Sequence, residues 1–151
     1  MIIQIPILIL LLYAQKIENV YYLKFIIVGA VDHGCPYVNI SLSHIGKIID
    51  EYINNYHKHY HNVNIDKYII MPNHIHLLIT ISVGQPWSTA PTLSTIISTF
   101  KTLITKELGF SIWQRNYYEH IIRNEKEYYL IYEYIENNPL NWEKDSNYFL
   151  F

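Results

Sequence analysis

The stretch Tyr68-Ile69-Ile70-Met71-Pro72-Asn73-His74-Ile75-His76-Leu77-Leu78-Ile79 decides how this chain folds. An apolar run reaches Met71, Pro72-Asn73 interrupts it as a natural turn pair, and a second apolar run starts at His74. The pattern predicts two strands, residues 63–71 and 74–82, back to back across a tight turn. Side chains alternate along a strand, so His74 and His76 leave one face while Ile75 and Leu77 leave the other. Two neighbouring imidazoles can share one divalent metal. The same spacing also fits two histidines on a half-exposed sheet surface. A histidine-triad enzyme would need a third histidine where Leu78 stands. Barrel hydrolases need about 250 residues, and this chain has 151. A metal site here therefore needs its third ligand from elsewhere in a small domain.

Outward from the hairpin the punctuation is equally readable. Residues 20–28 form a strand-like run ending at Gly29, followed by the loop Asp32-His33-Gly34-Cys35-Pro36. Ser41 or Ser43 can cap a helix to about His59, since Ile45, Ile48, Ile49 and Ile53 recur at helical spacing. Gly84-Gln85-Pro86 through Pro91 reads as an exposed loop. Thr92 then opens a helix whose apolar side carries Leu93, Ile96, Ile97, Phe100, Leu103 and Ile104, ending near Gly109. A short strand, residues 117–122, precedes a last helix, residues 125–138, which Pro139 stops. The order predicts an α+β domain: a ferredoxin-like split βαβ antiparallel sheet with helices on one face and an added C-terminal helix.

Composition sets the outer limits. A length of 151 residues gives room for one domain spanning residues 1–151. Half the residues are hydrophobic and 16% are charged, which excludes a disordered or collagen-like chain. The lone cysteine, Cys35, excludes an internal disulfide and fits a reducing, cytoplasmic setting. A net charge of −2 excludes nucleic-acid binding by bulk charge, so such a function needs a local site. The apolar leader, residues 1–13, is broken by Gln4 and Pro6. It falls short of the ~20 residues that span a bilayer, and no lysine or arginine precedes its core as in a signal peptide. A strand without membrane association is the expectation there.

The last helix carries Glu133-Tyr134-Ile135-Glu136-Asn137-Asn138-Pro139. Tyr134 and Asn138 are four apart and share one helix face. An amide oxygen could complete a metal site begun by two imidazoles, and a phenol beside it could act as a nucleophile. A core tyrosine and a C-cap asparagine would show the same spacing, and Tyr128, Tyr129 and Tyr132 are rival phenols on that helix. Upstream, Trp113-Gln114-Arg115-Asn116-Tyr117-Tyr118-Glu119-His120-Ile121-Ile122-Arg123 mixes bases with aromatics, a composition that suits phosphate contact and base stacking on a single strand. Lys101 and Lys106 could extend it.

Taken together, the Met71–Leu78, Trp113–Arg123 and Tyr134–Pro139 motifs, in this order and at these distances, resemble the single-tyrosine HUH transposases of the IS200-like class, in particular the REP-associated tyrosine transposases. The resemblance runs from about Pro36 to the C-terminus; residues 1 to about 25 lack the family's usual polar, aromatic-rich lead and are atypical for it. The resemblance implies that His74, His76 and Asn138 bind Mg²⁺ or Mn²⁺. It implies that Tyr134 attacks single-stranded DNA at hairpin-associated sites through a 5′-phosphotyrosine intermediate. Lys101, Arg115, His120 and Arg123 would contact the DNA, and the protein would work as a monomer or homodimer. The alternatives are a catalytically inactive relative that still binds hairpins, and an HUH-type nickase.

Overall fold

The computed structural model describes residues 20–27, 42–82 and 91–139. The leader, the loop holding Cys35 and the Gly84–Gln85–Pro86 segment lie outside them. The elements are β1 (Val20–Ile27), α1 (His44–Asn55), β2 (Val63–Ile70), β3 (His74–Ile81), α2 (Leu93–Leu108), β4 (Trp113–Ile122) and α3 (Glu125–Asn137). The strands form one antiparallel sheet in the order β2-β3-β1-β4. That is the split βαβ topology expected from the element order, with β1 inserted beside β3 at the centre.

Local signals set most boundaries. Ser43 caps α1, its hydroxyl accepting from Gly46 N–H at 3.1 Å. Thr92 caps α2 in the same way at 3.2 Å. Gly109 ends α2 with φ of +78°, a left-handed conformation in which a side chain would be strained. Helix α1 stops at Asn55, short of the expected His59, and tightens into one 3₁₀ turn over Tyr56–Lys58. There Tyr56 is buried and its hydroxyl donates to the Ile96 carbonyl of α2, tying the two helices together. Strand β4 begins four residues before its expected start because Ile27 of β1 reaches Trp113 past a bulge.

The two sheet faces are covered differently. Leu23, Phe25 and Ile27 of β1 with Ile75, Leu77 and Ile79 of β3 pack under α1 and α2 against Ile49, Ile53, Ile96, Phe100 and Ile104. Each such fully buried side chain stabilises the fold by about 1.5–3 kcal/mol. The opposite face carries Val20, Tyr22, Leu78 and Ile122, covered by Tyr128 and Ile135 of α3. Lys67 of β2 pins α3 down, bonding Glu136 at 3.0 Å with its ammonium 4.5 Å from the centre of the Tyr132 ring. No helix among the described residues is long and apolar enough to cross a membrane.

Candidate active site

Beneath α3 the sheet carries polar side chains. His74 and His76 are both 0% exposed, although a sheet surface would have left them half open. Their rings lie 4.6 Å apart between centroids, at 87°. Each is held through Nδ1. His74 Nδ1 lies 2.7 Å from Asn73 Oδ1, and His76 Nδ1 lies 2.5 Å from the Tyr22 hydroxyl. An amide oxygen can only accept, so His74 carries its proton on Nδ1 and its lone pair on Nε2. His76 Nε2 is buried without a hydrogen-bond partner. Burial, then the neighbouring His74 and the Lys24 ammonium, press the His76 pKa down to about 2, so the ring is neutral. A neutral imidazole is the form that binds metals.

Helix α3 carries Tyr134, and Asn138 caps its C-terminus. Asn124 caps it, accepting from Glu127 N–H at 2.9 Å, while the Glu127 carboxylate accepts from Arg123 N–H at 2.9 Å. His120 approaches the same carboxylate at 2.7 Å. The Arg123 N–H and then His120 hold the Glu127 pKa below the ordinary carboxylate range. At the far end, the Tyr134 ring stands edge-on to His76, 5.5 Å between centroids at 87°, and remains 47% exposed. Asn138 is at once the C-cap and a buried side chain, and its Oδ1 has no hydrogen-bond partner. Orphaned buried polar atoms are rare and costly. Besides the Tyr129 hydroxyl, they include His76 Nε2 and Asn138 Oδ1, both of which can donate to a metal. Among the described residues no three histidine, cysteine or carboxylate side chains gather; the Asn138 amide oxygen is a metal donor of another kind.

The rival tyrosines pack elsewhere: Tyr128 is buried against Tyr129 and Tyr132, and Tyr132 lies under Lys67. Of the residues expected at DNA, His120 lies across from Tyr22 on the face of the histidine pair. Arg123 is exposed at the turn into α3, and Arg115 is exposed within the bulged stretch of β4 between Trp113 and Tyr117. Lys101 belongs to α2, on the sheet face opposite the histidine pair. Its ammonium sits 5.3 Å from Phe25, 5.4 Å from Tyr117 and 5.6 Å from Trp113, and burial lowers its pKa. The fold does not bring it to the histidines.

Several residues at the site were not singled out in the sequence. Tyr22 and Asn73 hold the imidazoles. Lys24 faces His76 across one ladder and Tyr118 across the other. Tyr118 is 56% exposed and edge-on to Tyr22 at 5.9 Å. Alternation within residues 20–28 groups Tyr22 with Lys24, but only the pairing register places them at the histidines.

No family model matches the chain. It is 37% identical to an uncharacterized protein of Haemophilus influenzae, with 72% of each chain covered. Among solved structures, a REP-associated tyrosine transposase bound to a REP hairpin superposes with a TM-score of 0.62 at 21% identity, over 82% of this chain and 67% of that one.

Proposed function

Because the chain belongs to one family with the Haemophilus influenzae protein and has the fold of a REP-associated tyrosine transposase, we propose that it is itself a transposase, a single-tyrosine enzyme that cuts and rejoins single-stranded DNA beside hairpins. The observation that carries this reading is the Tyr134 phenol standing partly exposed against His76. His74 and His76 through Nε2, with Asn138 through Oδ1, would hold Mg²⁺ or Mn²⁺, which when bound would draw charge from the scissile phosphate and offset charge growing in the transition state.

The chain's own residues do the rest. The Tyr134 oxygen, its proton lost to solvent, attacks phosphorus, and the bond from phosphorus to the 3′ oxygen breaks. The products are a 5′-phosphotyrosyl linkage and a 3′-hydroxyl that has taken up a proton. Attack by a 3′-hydroxyl from another strand reverses these changes, joins DNA and releases the tyrosine. The intermediate retains a phosphodiester bond, so no outside energy source is needed. Lys24 adds positive charge to the face a phosphate would approach, and Tyr118 offers an exposed ring on which a flanking base can stack. A hairpin of the kind bound by the structural relative is the proposed substrate.

The test is to mix the protein with Mn²⁺ and a 3′-labelled pool of hairpins bearing random single-stranded flanks. A denaturant-resistant protein–DNA adduct is expected for the native chain and none for Tyr134→Phe. An adduct that survives Tyr134→Phe would move the nucleophile to another tyrosine. Hairpin retention with no adduct from the native chain would make this a binding protein.

A further inference from the structure

We propose that Tyr22 is a positioning residue, which fixes the tautomer and orientation of His76 so that Nε2 is presented for a divalent cation beside Tyr134. The inference rests on the metal-site reading above and extends it to a residue outside the expected ligand set. Tyr22 is 9% exposed, and its hydroxyl lies 2.5 Å from His76 Nδ1. The two rings are nearly parallel, 5.7 Å between centroids and 11° between planes. The same phenol ring stands edge-on to Tyr134, 6.4 Å away at 86°. One side chain thus touches both the imidazole and the proposed nucleophile.

The chemistry follows from what a neutral imidazole can do. It carries one proton, and the nitrogen bearing that proton cannot bind a metal. A phenol oxygen at Nδ1 can accept that proton's hydrogen bond, which leaves the lone pair on Nε2. Asn73 imposes the same tautomer on His74 through an oxygen that can only accept. The two supports differ in kind. Asn73 is the sequence neighbour of His74, whereas Tyr22 reaches His76 from the adjacent central strand. Partners of this sort at the second ring nitrogen typically change metal affinity by about 10- to 100-fold.

The experiment uses the full chain and Tyr22→Phe, which keeps the stacked ring and removes only the oxygen. In the metal-free protein, ¹⁵N shifts of the His76 ring should report the Nδ1–H tautomer for the native chain and a mixture for Tyr22→Phe. Mn²⁺ titration followed by electron paramagnetic resonance should show affinity weaker by about 10- to 100-fold in Tyr22→Phe. Adduct formation in the variant should recover towards the native level at saturating Mn²⁺, which a merely structural role would not produce. Equal Mn²⁺ affinity and an unchanged tautomer would overturn the role of Tyr22 while leaving the metal site standing. A native chain that binds Mn²⁺ no better than His76→Ala would overturn the metal site, and Tyr22 with it.

Discussion

Strand β3 presents two opposite kinds of chemistry from one backbone. Ile75, Leu77 and Ile79 point into a wholly apolar layer beneath α1 and α2. His74, His76 and Thr80 point into a layer beneath α3 that buries polar atoms. On that second face Asp66, the extra residue of a bulge in β2, accepts from the Thr80 hydroxyl at 2.5 Å, and burial still raises its pKa. The first face is arranged for stability. The second carries a cost in stability, since it buries unpartnered polar atoms and a desolvated carboxyl group.

Substitutions can separate the two faces, and the largest effect is expected on chemistry. His76→Leu should lower adduct formation on the order of 10³-fold by removing a metal donor, while the chain stays folded; a rate assay paired with circular dichroism checks both halves. The converse is expected at Leu77→Ala, one residue away on the other face. It should cost about 2–5 kcal/mol in denaturant unfolding and leave the rate per folded molecule unchanged. A rate loss in Leu77→Ala under conditions where it is fully folded would break the division between faces.

Acid titration gives a smaller, graded difference. The folded His76 pKa, at about 2, lies below the ordinary 6.5, so its stability contribution is complete above pH 6.5 and lost as pH falls towards 2. Asp66 acts in the opposite sense: its raised pKa favours folding below 3.8, and that contribution is lost as pH rises through the folded value. In an Asp66→Asn background, the metal-free protein should therefore lose about 1.4 kcal/mol per pH unit between about pH 6 and pH 4 relative to the same background carrying His76→Leu. Parallel unfolding curves across that range would remove His76 from the account. The smallest expected effect is at Asn138→Leu. Replacing a buried amide whose oxygen has no partner should leave the metal-free protein as stable or about 1 kcal/mol more stable, while Mn²⁺ binding falls. A loss of several kcal/mol would mean the amide serves the fold.

Much of this was legible along the chain. The hairpin around Pro72-Asn73, the Ser43 and Thr92 caps, the Gly109 stop and the common face of His74 and His76 all follow from short-range rules, and the structure contains each of them. What short-range rules did not supply depended on long-range pairing. Strand β4 is longer than its own residues indicated because β1 offers it partners as far as Trp113. Lys101 looked like part of a basic surface, yet α2 docks it over three aromatic rings on the other face. The alternative of two half-exposed histidines stayed open in the sequence because nothing near them announces their full burial.

The sequence by itself determined which residues could do chemistry, because spacing of two along a strand and four along a helix dictates which side chains share a face. Tertiary structure alone decided that the strand and the helix meet. That meeting needs β1 inserted beside β3, and α3 laid across the face opposite the other helices. Tyr22 took its place at His76 by the same route, since strand register is set by the packing of whole faces and is not written in either strand alone.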